Sequence, residues 1–249
     1  MKPTFLIIGT MKSGTTSAEY YMNQHPDIYC HWGEIRFFDR DSNYEKGIDW
    51  YEKHFTKTKK VVKHRGEKTP IYSFFRKCIL RIKHHYPDIK LIIFLRDPVM
   101  RAYSQYNHMI QESKKKNSKN KYPMYIDPKT TFKSLIHSEL KNLNYREKKS
   151  IVQRGFYIDQ IEFILKYFPR KNLKIIITEW YLKDHIKWNN ELFEFLEVET
   201  LEYLKPEMQH KRNYIIDKYK EDFNLLKKIY RPYNKRLFKF LGFKIKEWV

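Results

Sequence analysis

Three short, mostly apolar runs interrupt an otherwise charged chain, at residues 4–8, 90–95 and 173–178. Each is of strand length, and each reads as a strand buried on both faces. Between them the apolar positions recur every three or four residues. Helices are predicted over 15–23, ended by His25-Pro26, over 50–55, and over 72–85, where Phe75, Ile79 and Ile82 mark one face and Pro87 the stop. Arg96-Asp97-Pro98 opens another helix, with Asp97 as N-cap and Pro98 at the first helical position. Further helices are expected over 132–143, over 157–167 before Pro169, and near 189–196 and 217–229, with a basic surface loop over 113–131. Strands separated by helices predict an α/β fold, with a central parallel sheet flanked by helices. No repeat or linker divides the chain, so a single domain over residues 1–249 is expected.

Composition narrows the class. The 249 residues carry 50 Lys and Arg against 29 Asp and Glu, a net charge of +21, yet 41% are hydrophobic, with 20 Tyr and 17 Phe. A chain so rich in aromatics builds a core and is not a disordered polyelectrolyte. Two cysteines, Cys30 and Cys78, form neither a disulfide framework nor a CxxC metal pair. No apolar run reaches the ~20 residues of a membrane span. The stretch Phe5 to Ile8 is too short for a signal-peptide core, and a cytoplasmic location is the resulting expectation. The positive charge concentrates in 51–100, 113–149 and 205–249. It is either solvated surface or a face that attracts an anionic partner, and it does not say which anion.

The first strand leads into Gly9-Thr10-Met11-Lys12-Ser13-Gly14-Thr15-Thr16. Two glycines before a helix let backbone N–H groups turn inward, and the helix N-terminus adds partial positive charge, which together suit a phosphate. Gly9 and Gly14 have the spacing of a nucleotide-binding Walker A loop, but the residue after Gly14 is Thr15, and the lysine stands at position 12. That pattern argues against an ATPase, whose lysine follows the glycine to reach the β- and γ-phosphates. At the end of the second strand Arg96 lies where open α/β sheets bind ligands, and Ser104 stands two helical turns on. A guanidinium and a hydroxyl so placed suit a second phosphate.

These residues resemble the sulfotransferases that use 3′-phosphoadenosine 5′-phosphosulfate (PAPS). The Gly9–Thr16 loop followed by His25-Pro26-Asp27 is similar to their 5′-phosphosulfate loop, and Leu95 to Ser104 to their 3′-phosphate segment. Glu34-Ile35-Arg36-Phe37-Phe38 and Asn43 to Tyr51 resemble the heparan sulfate N-sulfotransferase branch, and Glu67-Lys68-Thr69-Pro70 the 3-O-sulfotransferases. Arg154-Gly155-Phe156-Tyr157 with Gln160, and Tyr230 to Asn234, also match family positions.

The resemblance implies cofactor binding by Lys12, Ser13, Gly14, Thr15, Thr16, Arg96, Ser104, Tyr157, Lys211 and Arg212. It implies catalysis by Glu34 as base, with Lys12 and Lys68 on the leaving group, and no metal. His31 is the competing base, as in the small-molecule branch, and Arg36 is expected to face the acceptor. The expected acceptor is a carbohydrate hydroxyl or amine, with an anionic chain suggested by the basic surface; no nucleic acid is expected. A kinase-like phosphotransferase and a basic nucleic-acid-binding protein are the alternatives.

Overall fold

The computed structural model describes residues 1–56, 61–115, 119, 123–143, 145–206 and 217–248. The chain divides into two compact units, Met1–Arg96 with Gln160–His210, and Asp97–Asp159 with Lys211–Val249.

The first unit is built on a five-stranded, wholly parallel sheet: β1 (Phe5–Gly9), β2 (Ile28–His31), β3 (His64–Lys68), β4 (Lys90–Leu95) and β5 (Leu173–Ile177), in the order β2-β3-β1-β4-β5. This is the predicted α/β class. Side chains alternate across a strand, so Phe5 and Ile7 of β1 share a face with Ile92, Phe94 and Ile176. That face packs on Ala18, Tyr21 and Met22 of α1 (Thr15–Met22) and on Leu192 and Phe193 of the helix His185–Phe195. Leu6, Ile8, Leu91, Ile93 and Leu95 are buried as well, which is why these strands read as continuous apolar runs.

Strands β2 and β3 are absent from the predicted set. β2 has four residues that alternate between buried and half-buried. β3 is His-Arg-Gly-Glu-Lys, a polar string whose last three members are nonetheless buried. Gly66 is required there, because a Cβ would lie 2.4 Å from the Phe5 carbonyl oxygen of the neighbouring strand. The expected helix 72–85 begins only at Arg76: the Ser73 N–H bonds the Ile8 carbonyl at 2.9 Å, and the Tyr72 hydroxyl is committed elsewhere, so the chain is still a turn there.

The second unit holds α5 (Pro98–Ser113), α6 (Phe132–Leu140) and α10 (Lys220–Leu241), numbered in the order of all helices. Asp97 caps α5 as expected, accepting the Met100 N–H at 2.7 Å. Helix α10 extends twelve residues past its predicted end, straight through Pro232. Its buried face, with Phe223, Leu226 and Leu237, stabilises by about 1.5–3 kcal/mol per side chain, which outweighs the ~3 kcal/mol that an internal proline costs. Two motifs meet in this unit: Gly155 lies so close to the Tyr230 ring that a Cβ would be 2.6 Å from it, and Phe156 stacks on Tyr233 at 3.9 Å. The Glu139 carboxylate accepts the N–H groups of Ile151, Val152 and Gln153. The Arg154–Phe156 segment thus packs on α10 directly after a backbone stretch bonded to Glu139.

Candidate active site

In the first unit, the candidate residues sit at the carboxyl ends of the strands. From β1 the chain passes to β2 and β3 on one side, and from β4 it reaches β5 on the other. The crevice between β1 and β4 is thus a topological switch point, where α/β sheets take ligands.

The loop after β1 is pinned from behind. The Thr10 hydroxyl donates to the Phe94 carbonyl at 2.9 Å and lies 2.7 Å from the Ser13 hydroxyl. Arg96 Nη1 donates to the Lys12 carbonyl at 3.0 Å, and the Thr178 hydroxyl donates to the Ser13 carbonyl at 2.8 Å. A trans peptide aims its C=O and N–H in opposite directions, so the N–H groups of Ser13 and Gly14 are turned away from these two anchors. Lys12 has φ 68° and Gly14 φ 85°, the left-handed conformations that close so tight a loop. Gly14 is the N-cap of α1, and Thr15 and Thr16 are its first two residues. Backbone N–H groups, a helix N-terminus, two threonines and the half-buried Lys12 form a donor set without a carboxylate, and this set fits a phosphate group.

The turn after β2 is held differently. Gly33, φ 83°, donates its N–H to Glu19 Oε1 at 2.8 Å. Glu19 Oε2 pairs with Lys68 Nζ at 3.3 Å, and the same ammonium donates to the Thr16 hydroxyl at 3.4 Å. Burial raises the Glu19 carboxyl above its ordinary pKa, against the pull of Lys68. Lys68 is 6% exposed and so is not a solvated surface lysine. Through Glu19 it ties the turn after β2 to the first turn of α1. Glu34, at the tip of this turn, is exposed, its Oε2 3.9 Å from Arg36 Nε.

Beneath the turn lies Glu67, fully buried. It accepts hydroxyls from Thr69 at 2.6 Å, Tyr72 at 2.8 Å and Tyr51 at 3.1 Å, and the Ile35 N–H at 3.4 Å. Desolvation pushes its pKa up to about 7, against the hydroxyl donors. The Thr69 hydroxyl in turn accepts the Arg36 N–H at 3.4 Å.

Arg36, expected to face the acceptor, has its guanidinium paired with Asp39 at 2.6 Å, with Asp39 buried. His31 is packed edge-on to His54, 5.4 Å between ring centres, at the end of β2. The structure brings Lys12, Ser13, Gly14, Thr15, Thr16, Arg96, Lys68 and the Glu34 turn into one unit. Ser104 and Tyr157 belong to the second unit, where both are buried. Lys211 and Arg212 lie outside the described residues. Glu19, Glu67 and Thr178 were not among the expected residues. Only the adjacency of Glu67 to Lys68 hinted at one of them.

Comparison with known proteins places these features in context. Residues 2–229 match the sulfotransferase domain family. The chain is 41% identical over 140 residues, 55% of its length, to the membrane-associated sulfotransferase kil1 of Dictyostelium discoideum, of which it covers 28%. It is 33% identical over 179 residues, 70% of its length, to heparan sulfate glucosamine 3-O-sulfotransferase 5 of Mus musculus, of which it covers 47%. The chain thus spans less than half the length of either relative. In three dimensions it resembles a sulfotransferase from Alicyclobacillus acidocaldarius, with TM-score 0.78, 24% identity and coverage of 100% of this chain and 99% of that one, a likeness of fold.

Proposed function

The chain belongs to the sulfotransferase family, and on that premise we propose that it moves a sulfuryl group from PAPS to a hydroxyl or amine of a carbohydrate acceptor. The observation that carries the reading is the anchored loop: Arg96 and Thr178 hold the Lys12 and Ser13 carbonyls, which leaves the opposite side of the loop to backbone donors. When bound, the phosphosulfate supplies an activated sulfuryl group, and negative charge grows on the oxygen it leaves.

Lys12, on the loop, and Lys68, beside Thr16, add positive charge at the start of α1, where with the helix N-terminus they stabilise the negative charge that grows on the leaving oxygen. Glu34 takes the proton of the attacking hydroxyl or amine as general base. Its turn is oriented by Glu19 through Gly33 and by Glu67 through Ile35. The carbohydrate acceptor is supported by the likeness to an enzyme named for heparan sulfate glucosamine.

Transfer of labelled sulfate from PAPS to glucosamine-containing oligosaccharides tests the reaction. Product formation is expected, and none from any carbohydrate overturns the acceptor. The spent cofactor PAP, at a hundredfold its dissociation constant, stabilises the fold by ~2.7 kcal/mol. Equal shifts with ADP overturn the choice of donor.

A further inference from the structure

Helix α10 carries a feature that sulfuryl transfer does not use. Lys227, Arg231, Lys235 and Lys239 recur every four residues, on one face and about 6 Å apart along the axis. Like charges at this spacing repel and weaken a helix. None of the four is paired with a carboxylate among the described residues. Residues 227–246 contain eight Lys and Arg and no Asp or Glu.

The row borders a groove of ≈ 1040 Å³ in the second unit. Its walls are apolar, with Phe238, Phe243 and Trp248. The one carboxylate lining it, Asp97, is occupied in capping α5. At the end of α10, Gly242 takes φ 80° and turns the chain, and Phe243 beyond it, 43% exposed, lines the groove together with Lys239 and Lys244.

We propose that this face of α10 docks on an anionic lipid bilayer, with the cations on the headgroups and Phe243, which shares the groove with them, entering the acyl boundary. The pairing of a cationic row with an exposed aromatic side chain decides between anions. A soluble polyanion satisfies the lysines and leaves Phe243 in water, whereas an anionic leaflet satisfies both. No helix among the described residues is long and apolar enough to cross a membrane, so the contact is with the surface. The proposal is independent of the donor and acceptor assigned above.

Flotation of the full chain with phosphatidylserine-rich and with pure phosphatidylcholine vesicles tests it. Binding is expected to the first and not to the second. It weakens as salt shortens the screening length from ~10 Å at 0.1 M to ~3 Å at 1 M. The triple variant Lys227→Glu, Arg231→Glu, Lys235→Glu is expected to lose binding by roughly tenfold or more, and Phe243→Ser to lose retention while melting as the parent does. Replacement of the same cations by Gln covers the case in which charge reversal disturbs the helix. Equal binding to both vesicle types, or binding that survives the cation and Gln variants, overturns the proposal. Binding to soluble polyphosphate through these lysines, without binding to vesicles, also overturns it and assigns the groove to a soluble chain.

Discussion

The two halves of the candidate site draw their key groups from different places. The donor loop, residues 10–16, supplies its own glycine, its own left-handed lysine and the backbone donors of the helix that follows, and distant Arg96 and Thr178 only anchor its carbonyls from behind. The acceptor turn, residues 32–36, takes its shape from carboxylates fourteen and thirty-two residues away, Glu19 on α1 and Glu67 on β3. A phosphate cradle needs backbone donors, which neighbouring residues supply. A general base must instead stand at a set distance from that cradle, and only the packing of several elements can set it.

The largest expected effect separates chemistry from binding. Glu34→Gln lowers turnover by roughly two to four orders of magnitude while the melting shift with PAP is unchanged. An active Glu34→Gln beside an inactive His31→Ala would transfer the role of base to the histidine. On the donor side the two readouts move together: Lys12→Ala lowers turnover by about a hundredfold or more and weakens PAP binding as well. If binding is untouched, Lys12 acts on chemistry alone.

Glu67 tests whether the acceptor turn depends on its buried support. Its folded pKa, about 7, lies above the ordinary carboxylate value. Between about pH 4.5 and 7 the folded state therefore holds a proton that the unfolded state has lost, and stability falls as pH rises through this window, by on the order of 3 kcal/mol. Glu67→Gln, neutral throughout, flattens that slope in urea titrations at several pH values. It is also expected to lower kcat more than it weakens PAP binding, because Glu67 supports Ile35 next to Glu34, the proposed base. An unchanged slope means that Glu67 is ionised across the window.

Two glycines sharpen the contrast between packing and conformation. Gly66→Ala pushes a methyl group into Phe5 and is expected to cost about 1–3 kcal/mol of stability. Gly33→Ala meets open space but must hold φ 83°, so about 1 kcal/mol is expected, with the loss appearing in kcat. The smallest effect is that of Arg96→Ala, which loosens the Lys12 carbonyl and narrows the difference between the melting shifts with PAP and ADP. An unaltered difference confines Arg96 to the loop backbone.

The sequence by itself determined the apolar strands β1, β4 and β5, the Gly9–Thr16 loop and the capped start of α5, because each is specified by residues adjacent in the chain. It did not reveal β3, whose Gly66-Glu67-Lys68 reads as polar and becomes interior only when β1 and β2 flank it. It did not reveal the length of α10, since Pro232 reads as a stop until the buried face on either side outweighs it. Nor did it show that Arg36 is locked by Asp39, that Lys68 is buried against Glu19, or that Glu67 underlies the Glu34 turn. Burial makes a charge seek one partner and hold it, and which partner comes within reach is decided by strand order and register, which no local pattern encodes.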